Sequence, residues 1–179
     1  MAEITLVTGG ARSGKSAFAL ERARGKYAHR ALVATAVALD EEMRQRILRH
    51  QKERGDTFHT LEKPVRLAEA ISSSAGKSDV VVVDCLTVWL GNLYHHFNES
   101  ESSIEDCVDR FLAVLDKPPC DLILVTNEVG WGIVPENRLA RVFRDRAGRL
   151  NRQVAQKARH VYLLCCGIPL ALKGEPSHG

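Results

Sequence analysis

A glycine-rich segment near the start of the chain places a lysine and a hydroxyl group at a fixed spacing. Residues 9–16 read Gly-Gly-Ala-Arg-Ser-Gly-Lys-Ser and match the pattern G-x-x-x-x-G-K-[ST] in full. In this pattern backbone N–H groups and a helix N-terminus hold phosphate oxygens, the lysine reaches the β- and γ-phosphates, and the hydroxyl ligates Mg²⁺. We therefore expect nucleotide contacts along this segment, called the phosphate loop below: Gly9, Gly10, Ala11, Arg12, Ser13, Gly14, Lys15 and Ser16.

An ordinary glycine-rich turn is the alternative interpretation of this segment. The segment follows the predicted strand Ile4–Val7 and precedes the predicted helix Lys15–Arg24. A strand before the glycines and a helix after them are the context that a phosphate loop requires. The surrounding sequence therefore favours nucleotide binding, with Lys15 as a predicted catalytic residue.

Asp84 places a carboxylate after a run of four valines, Val80–Val83. Such a continuous β-branched run predicts a strand buried on both faces. A carboxylate at its end can hold Mg²⁺ together with Ser16, directly or through water. The alternative role for Asp84 is to cap the helix predicted to begin at Leu86.

His50 carries an imidazole at the end of an apolar stripe. Leu39, Met43 and Ile47 precede it at helical spacing, the last two within the predicted helix Glu41–Arg54. The spacing turns the imidazole inward or towards a cleft, where it can be an ordinary half-buried histidine. A neutral imidazole is also a nucleophile towards phosphorus, and in that role its activity should fall below about pH 6.

Asn127 and Glu128 follow the predicted strand Leu122–Thr126. Because ligands of open α/β sheets bind at the carboxyl ends of parallel strands, these two side chains can orient a substrate. Anchoring of a loop is the alternative. Trp89 and Trp131 offer apolar surface for a flat ligand or for packing, whereas His95 and His96 are expected to be exposed.

Alternating apolar strands and amphipathic helices predict an α/β fold with a mostly parallel sheet flanked by helices. The remaining predicted strands are Ala31–Ala34, Val80–Asp84 and Val161–Cys165, and the remaining helices are Pro64–Ser72, Leu86–Leu93, Ser103–Leu115 and Asn137–Arg159. Gly148 is a position where the last helix could break. Its seven arginines spread around the helix, which is typical of a solvated or interface helix and not of a nucleic-acid stripe.

The composition is that of an ordinary globular chain. It has 179 residues, 45% hydrophobic and 26% charged, with a net charge of +3. This excludes collagen, coiled coil and disulfide scaffold, and predicts one domain over residues 1–179 with a frayed tail at 174–179. Five cysteines without Cys-x-x-Cys spacing predict free thiols, mostly in the core. Because the sequence shows neither an export signal nor an apolar run long enough for a membrane-spanning helix, we expect a cytoplasmic protein without membrane insertion.

The order of several longer motifs resembles a family of cobalamin biosynthesis, the bifunctional adenosylcobinamide kinase and adenosylcobinamide-phosphate guanylyltransferase. The resemblance runs from Ile4 to about Lys173. The most specific motif is Thr-Asn-Glu-Val-Gly-x-Gly-Ile-Val-Pro. The matching segments are residues 7–16, 34–36, 46–50, 60–64, 83–93, 126–135 and 167–173. The chain departs from the family pattern at Asn151-Arg152, at Arg159-His160 and in the segment Gly55–Phe58, none of which carries a predicted catalytic group.

This resemblance implies a RecA-like P-loop fold and two reactions. A nucleoside triphosphate, ATP or GTP, phosphorylates a hydroxyl on the corrinoid, and the histidine matching His50 then takes GMP from GTP and passes it to the new phosphate. The corrinoid and its phosphate are the implied substrates, Mg²⁺ the cofactor, and a homotrimer the assembly. Besides the phosphate loop, the implied nucleotide contacts are Thr35, Ala36, Val37, Glu62 and Asp84.

Two other functions compete with this interpretation. In the first, the protein is a small-molecule kinase without guanylyl transfer, and His50 has only a structural role. In the second, it is a RecA-like ATPase or switch that binds nucleic acid or protein.

Overall fold

The computed structural model of the protein describes residues 2–38, 41, 44–45, 47–48, 51 and 57–175. This part of the chain contains seven strands and five helices. The strands are β1 (Ile4–Gly9), β2 (Arg30–Ala34), β3 (His59–Glu62), β4 (Val80–Asp84), β5 (Asp121–Val125), β6 (His160–Cys165) and β7 (Ile168–Lys173). The helices are α1 (Lys15–Lys26), α2 (Leu67–Ser72), α3 (Leu86–His96), α4 (Glu101–Asp116) and α5 (Arg138–Lys157).

All seven strands belong to one sheet in the order β3-β2-β4-β5-β1-β6-β7. Neighbouring strands are parallel except for β7, which runs antiparallel to β6. The register places Asp84 opposite Ala34 on one side and Val125 on the other. The carboxyl ends of β1 to β5 therefore form one continuous border, called the carboxyl edge below. The predicted mostly parallel α/β fold is confirmed.

Helices cover both faces of the sheet because its central strands are apolar on both sides. Val80–Val83 of β4 are at most 1% exposed. One face packs against Ala19, Leu20 and Ala23 of α1. The other face packs against apolar side chains of α2, α3, α4 and α5. Consequently α1 and α5 lie on opposite sides of the sheet.

The five predicted strands are confirmed to within two residues at either end. Two further strands, β3 and β7, were not predicted. Both lie at the edges of the sheet, where β3 has only four residues and β7 contains Pro169, which an edge strand tolerates. Edge strands of this kind lack the long apolar run that identifies a buried strand.

Five of the predicted helices are confirmed to within three residues at either end. The last, α5, continues through Gly148 without a break. The sixth predicted helix, Glu41–Arg54, lies largely outside the described residues, and His50 is one of the residues not described. Most of the predicted tail also lies outside them. Among the helices of the described segments, none is both long and apolar enough to cross a membrane.

The cysteines correct one expectation. All five are free, but only Cys85 is buried, whereas Cys107 and Cys120 are half-buried and Cys165 and Cys166 are exposed. The last two lie at the tight turn between β6 and β7, where no core is available to cover them. Cys85 is thus a core residue and Cys107 and Cys120 pack against the core, whereas the core prediction is wrong for Cys165 and Cys166.

Candidate active site

The phosphate loop leaves β1 in a conformation that only glycine adopts without strain. Gly9 has φ +148°, and a Cβ there would lie 2.4 Å from the carbonyl oxygen of Leu164 on the neighbouring strand. Gly14 has φ +95° and stands at the N-cap of α1. The glycines of the pattern are thus required by the backbone, and α1 begins directly at Lys15.

Lys15 is held inside this loop. The side chain is only 7% exposed. Its Nζ donates to the carbonyl oxygen of Gly10 and, at 3.3 Å, to Oγ of Ser13. The loop therefore closes around an ammonium group, and its residues Ala11 and Arg12 are exposed.

Asp84 lies at the carboxyl edge, at the half-buried end of β4. It does not occupy the helix-capping position, because the N-cap of α3 is Cys85. The capping alternative is therefore wrong. Ser16, in the first turn of α1, and Asp84 offer a hydroxyl and a carboxylate, which are the hard oxygen ligands that Mg²⁺ prefers. The described residues contain no cluster of three or more ligating side chains, so such an ion would depend on phosphate oxygens as well.

Thr35 ties the end of β2 to the segment that follows β4. Its buried Oγ1 donates to the carbonyl oxygen of Cys85 and accepts from the Cys85 backbone N–H, both at 2.9 Å. Asn92 of α3 donates to the Thr35 carbonyl oxygen at 2.7 Å. Because burial is the main cause that raises the pKa of Cys85 to about 11, its thiol stays protonated at neutral pH.

The other predicted nucleotide contacts form a row along the carboxyl edge. Ala36 and Val37 follow Thr35 at the end of β2, and Glu62 is the exposed last residue of β3. Four strand spacings separate β3 from β1, which is about 19 Å. Glu62 and the phosphate loop therefore cannot contact the same phosphate group. The structure places Asp84 between them.

Glu128 is fixed beside the phosphate loop by hydrogen bonds from two elements. Its backbone N–H donates to the carbonyl oxygen of Gly9 at 3.1 Å. Its Oε1 accepts from Oγ1 of Thr8 on β1 at 2.5 Å and from Nδ2 of Asn151 on α5 at 3.2 Å. The half-buried carboxylate of Glu128 thus lies at the carboxyl edge next to the loop, as its place after β5 predicted.

A chain of hydrogen bonds continues from this carboxylate. The Asn127 backbone N–H donates to Thr87 Oγ1, the Thr87 hydroxyl lies 3.1 Å from Thr126 Oγ1, and the Thr126 hydroxyl donates to Asn151 Oδ1 at 2.7 Å. Asn151 Nδ2 closes the ring on the Asn127 carbonyl oxygen at 3.1 Å. Sequence reasoning missed Thr87, Thr126 and Asn151, although a polar side chain on the apolar face of α5 was a usable signal.

The two tryptophans have different environments. Trp89 is 1% exposed and donates from Nε1 to the carbonyl oxygen of Val65, so it is a core residue and not a ligand contact. Trp131 is 69% exposed in the loop between β5 and α5. His95 and His96 are exposed, as predicted.

Solved structures that resemble this one share its fold at low sequence identity. RadB recombinase matches with a TM-score of 0.52 and 17% identity, over 90% of this chain and 73% of that one. A Pyrococcus horikoshii OT3 protein matches with a TM-score of 0.55 and 8% identity, over 98% and 88% of the two chains. At such identities the likeness concerns the fold alone, which is that of P-loop NTPases.

Relatives found by sequence similarity are far more identical to this chain than these solved structures are. The bifunctional adenosylcobalamin biosynthesis protein CobU of Escherichia coli (strain K12) is 39% identical, over 94% of this chain and 98% of its own. The protein CobP of Pseudomonas aeruginosa, with the same description, is 39% identical over 96% and 98%. The sequence model of the protein family described as cobinamide kinase / cobinamide phosphate guanyltransferase matches residues 5–172 of this chain. With the phosphate loop, Asp84 and Glu128 gathered at one sheet edge, the chain belongs to the cobinamide kinase / cobinamide phosphate guanyltransferase family.

Proposed function

We propose that this enzyme carries out its two reactions at the carboxyl edge and that guanylyl transfer passes through a covalent intermediate on His50. In the first reaction ATP or GTP phosphorylates the hydroxyl of adenosylcobinamide. In the second, GMP moves from GTP to adenosylcobinamide-phosphate. The observation that carries the proposal is the burial of Lys15 in a closed phosphate loop beside Asp84 and Glu128.

Phosphoryl transfer depends mainly on positioning and charge neutralisation. In the kinase step the substrate hydroxyl oxygen forms a bond to the γ-phosphorus, the bond to the β-phosphate oxygen breaks, and the hydroxyl proton is released. Lys15 would exchange its contact with Gly10 for a phosphate oxygen. Lys15 and the exposed Arg12 together would offset the charge that develops on the phosphate.

Mg²⁺ fits the oxygen groups at this edge. The Ser16 hydroxyl and the Asp84 carboxylate would hold it together with phosphate oxygens, as Mg²⁺ sites with few protein ligands do. When bound, the ion would neutralise phosphate charge in either reaction. Thr35, Ala36, Val37 and Glu62 would then meet the ribose and the base, because they lie further along the same edge.

Guanylyl transfer is proposed to occur in two displacements at phosphorus. A ring nitrogen of His50 bonds to the α-phosphorus of GTP, and the bond to the leaving pyrophosphate breaks. A phosphate oxygen of the corrinoid phosphate then bonds to the same phosphorus, and the bond to His50 breaks. The histidine motif at 46–50 and the nucleophilicity of a neutral imidazole support this order.

The expected assembly is a homotrimer, and the expected location is the cytoplasm. The edge strand β7 supports self-association, since Ile168, Leu170 and Leu172 are each more than half exposed on it. An exposed apolar edge of this kind is a common site of association. The free cysteines agree with a reducing compartment.

Incubation with GTP labelled on the α-phosphate tests the covalent step. The wild type should retain label that is stable in base and lost in acid, as a phosphoramidate is, and His50→Ala should retain none. His95→Ala is the matched control, because His95 is exposed at the end of α3 and should not affect labelling. If His50→Ala keeps the label, or if the wild type takes none while phosphorylating cobinamide, the covalent route is wrong.

A further inference from the structure

An open groove with a strong positive charge lies where α5 faces the loop that follows Glu128. Its volume is about 530 Å³, and it is lined by Gly130, Arg144, Asp145, Gly148, Arg149 and Arg152. We call it the arginine groove. Three guanidinium groups against one carboxylate give it a net charge of +2, which suits an anion.

Helix geometry explains why the charges converge. Arg144, Gly148 and Arg152 are four residues apart, so they lie on one stripe of α5, and Arg149 is adjacent to it. A Cβ at Gly130 or at Gly148 would have no neighbour within 4 Å, so the floor of the groove is open. Gly148, between Arg144 and Arg152 on this stripe, and Gly130 on the facing loop leave room for a bulky anion.

The arginines of this groove have few partners in the protein. Arg144 forms an ion pair with Asp145, with 3.5 Å between Nε and Oδ1. Within the described residues, Arg149 and Arg152 form no ion pair or side-chain hydrogen bond, and both are exposed. By contrast, Arg141 donates to the carbonyl oxygens of Pro135 and Glu136, so it has a structural role. Arg149 and Arg152 are therefore available to a ligand.

The groove is connected to the proposed reaction centre through one short network. Asn151, next to Arg152, donates to the Glu128 carboxylate, and the Glu128 backbone donates to Gly9 of the phosphate loop. Gly130 is two residues from Glu128. Because α5 and α1 cover opposite faces of the sheet, a molecule in the groove can reach the carboxyl edge without crossing α1.

The loop that contributes Gly130 to the groove also carries exposed apolar side chains. Trp131 is 69% exposed and Ile133 is 97% exposed. Isolated exposed apolar residues need no explanation. An aromatic side chain one residue from a cationic groove, however, suits a ligand that has both an apolar surface and a negative charge. A large macrocycle that carries a phosphate group is such a ligand.

We propose that the arginine groove binds the phosphate group of cobinamide phosphate, with Trp131 against the macrocycle. This inference rests on the proposed function, since it concerns the acceptor of GMP. The acceptor arm is neutral in the kinase step and carries a phosphate monoester in the transfer step. A cationic groove therefore distinguishes the two substrates, and it retains the product of the first reaction for the second.

Direct binding separates this proposal from the covalent mechanism. Equilibrium dialysis with cobinamide and with cobinamide phosphate, followed by corrinoid absorbance, should show tighter binding of the phosphate form to the wild type. Arg149→Gln should weaken binding of cobinamide phosphate about tenfold and the double variant R149Q/R152Q more, as expected for charge-assisted hydrogen bonds. Binding of cobinamide should change less than twofold.

Arg138→Gln is the matched control, because it removes the same charge from an exposed position that lies about 16 Å from Arg149 along α5. Its affinity for cobinamide phosphate should equal that of the wild type. The proposal is overturned if R149Q/R152Q binds cobinamide phosphate as the wild type does, or if all three variants lose affinity equally. It is also overturned if the double variant instead raises the KM for GTP, since the groove would then hold the nucleotide.

Self-labelling by GTP is measured in the same variants. Normal labelling of R149Q/R152Q together with a raised KM for cobinamide phosphate supports the groove as the acceptor site. If the wild type takes up no label, the covalent mechanism is contradicted. The dialysis result still decides whether the groove binds cobinamide phosphate. The two proposals therefore fail in different experiments.

Discussion

Glu128 Oε1 accepts a hydrogen bond from Thr8 Oγ1 at 2.5 Å, across 120 residues of sequence. The bond joins the end of β5 to the end of β1, directly before the phosphate loop. Asn151 of α5 donates to the same oxygen. The position of the loop is thus set from both a neighbouring strand and the helix that carries the arginine groove.

Asn151→Ala should destabilise the protein and weaken catalysis together. The substitution removes the Asn151 acceptor of the Thr126 hydroxyl and the Asn151 donor to the Asn127 carbonyl oxygen, which costs about 1–3 kcal/mol of unfolding free energy. Urea denaturation measures this cost, and Gln156→Ala on the exposed side of α5 should cost under about 0.5 kcal/mol. An equal effect of both variants would show that the network contributes nothing beyond helix packing.

Glu128→Gln keeps the shape of the side chain and can still accept from Thr8. If Glu128 only anchors the loop, kinase activity should stay within about threefold of the wild type; if its charge orients the substrate, kcat should fall about 100-fold. We expect the larger fall, with unfolding free energy nearly unchanged. Kinase rates at saturating ATP and cobinamide decide between the two, and Glu136→Gln, an exposed residue before α5, is the control.

Gly9→Ala should distort the phosphate loop. A Cβ at Gly9 meets the Leu164 carbonyl oxygen, and its φ of +148° is strained for alanine, so we expect a cost of about 1–3 kcal/mol and a large loss of nucleotide affinity. Gly25→Ala is the opposite case, because Gly25 lies within α1 and a Cβ there meets nothing within 4 Å. It should stabilise the protein by about 0.5–1 kcal/mol. Thermal unfolding measures the stability of both variants, and nucleotide titration measures their nucleotide affinity.

Stability should decrease as pH rises from about 9 to 11, in part because of Cys85. Burial raises the pKa of this thiol from 9.0 to about 11 in the folded protein. As pH rises, the unfolded chain therefore loses this proton first, the native state binds more protons, and the unfolding free energy falls. In Cys85→Ala the fall between pH 8.5 and 10.5 should be shallower than in the wild type. Ser72→Ala, at an exposed position that carries no thiol, should keep the wild-type slope; identical slopes in all three proteins would contradict the assignment.

Leu170→Lys should disrupt the proposed trimer. Leu170 is 56% exposed at the centre of β7, and a charge on an apolar edge strand prevents association. Sedimentation velocity should give a trimer for the wild type and a monomer for this variant. Lys77→Glu, in an exposed turn far from β7, should leave the trimer intact. A monomeric wild type would contradict the assembly itself.

The sequence alone determined the features whose physical cause is local. The phosphate loop is a short backbone path that requires glycines at fixed positions, so its residue types identify it. The apolar runs of β1, β2, β4, β5 and β6 predicted the parallel sheet, because strands buried on both faces need continuous apolar side chains. The place of Asp84 and Glu128 at strand ends followed from the same reasoning.

Only the tertiary structure decided what depends on contacts between distant segments. The edge strands β3 and β7 gain their hydrogen bonds from neighbours and not from an apolar run of their own. Asn151 reaches Glu128 only because α5 packs beside the end of β5. The arginines of α5 appear dispersed in sequence, and three of them form a groove only because the loop at Gly130 lies against that side of the helix. Side-chain convergence of this kind is set by packing, which one-dimensional spacing does not specify.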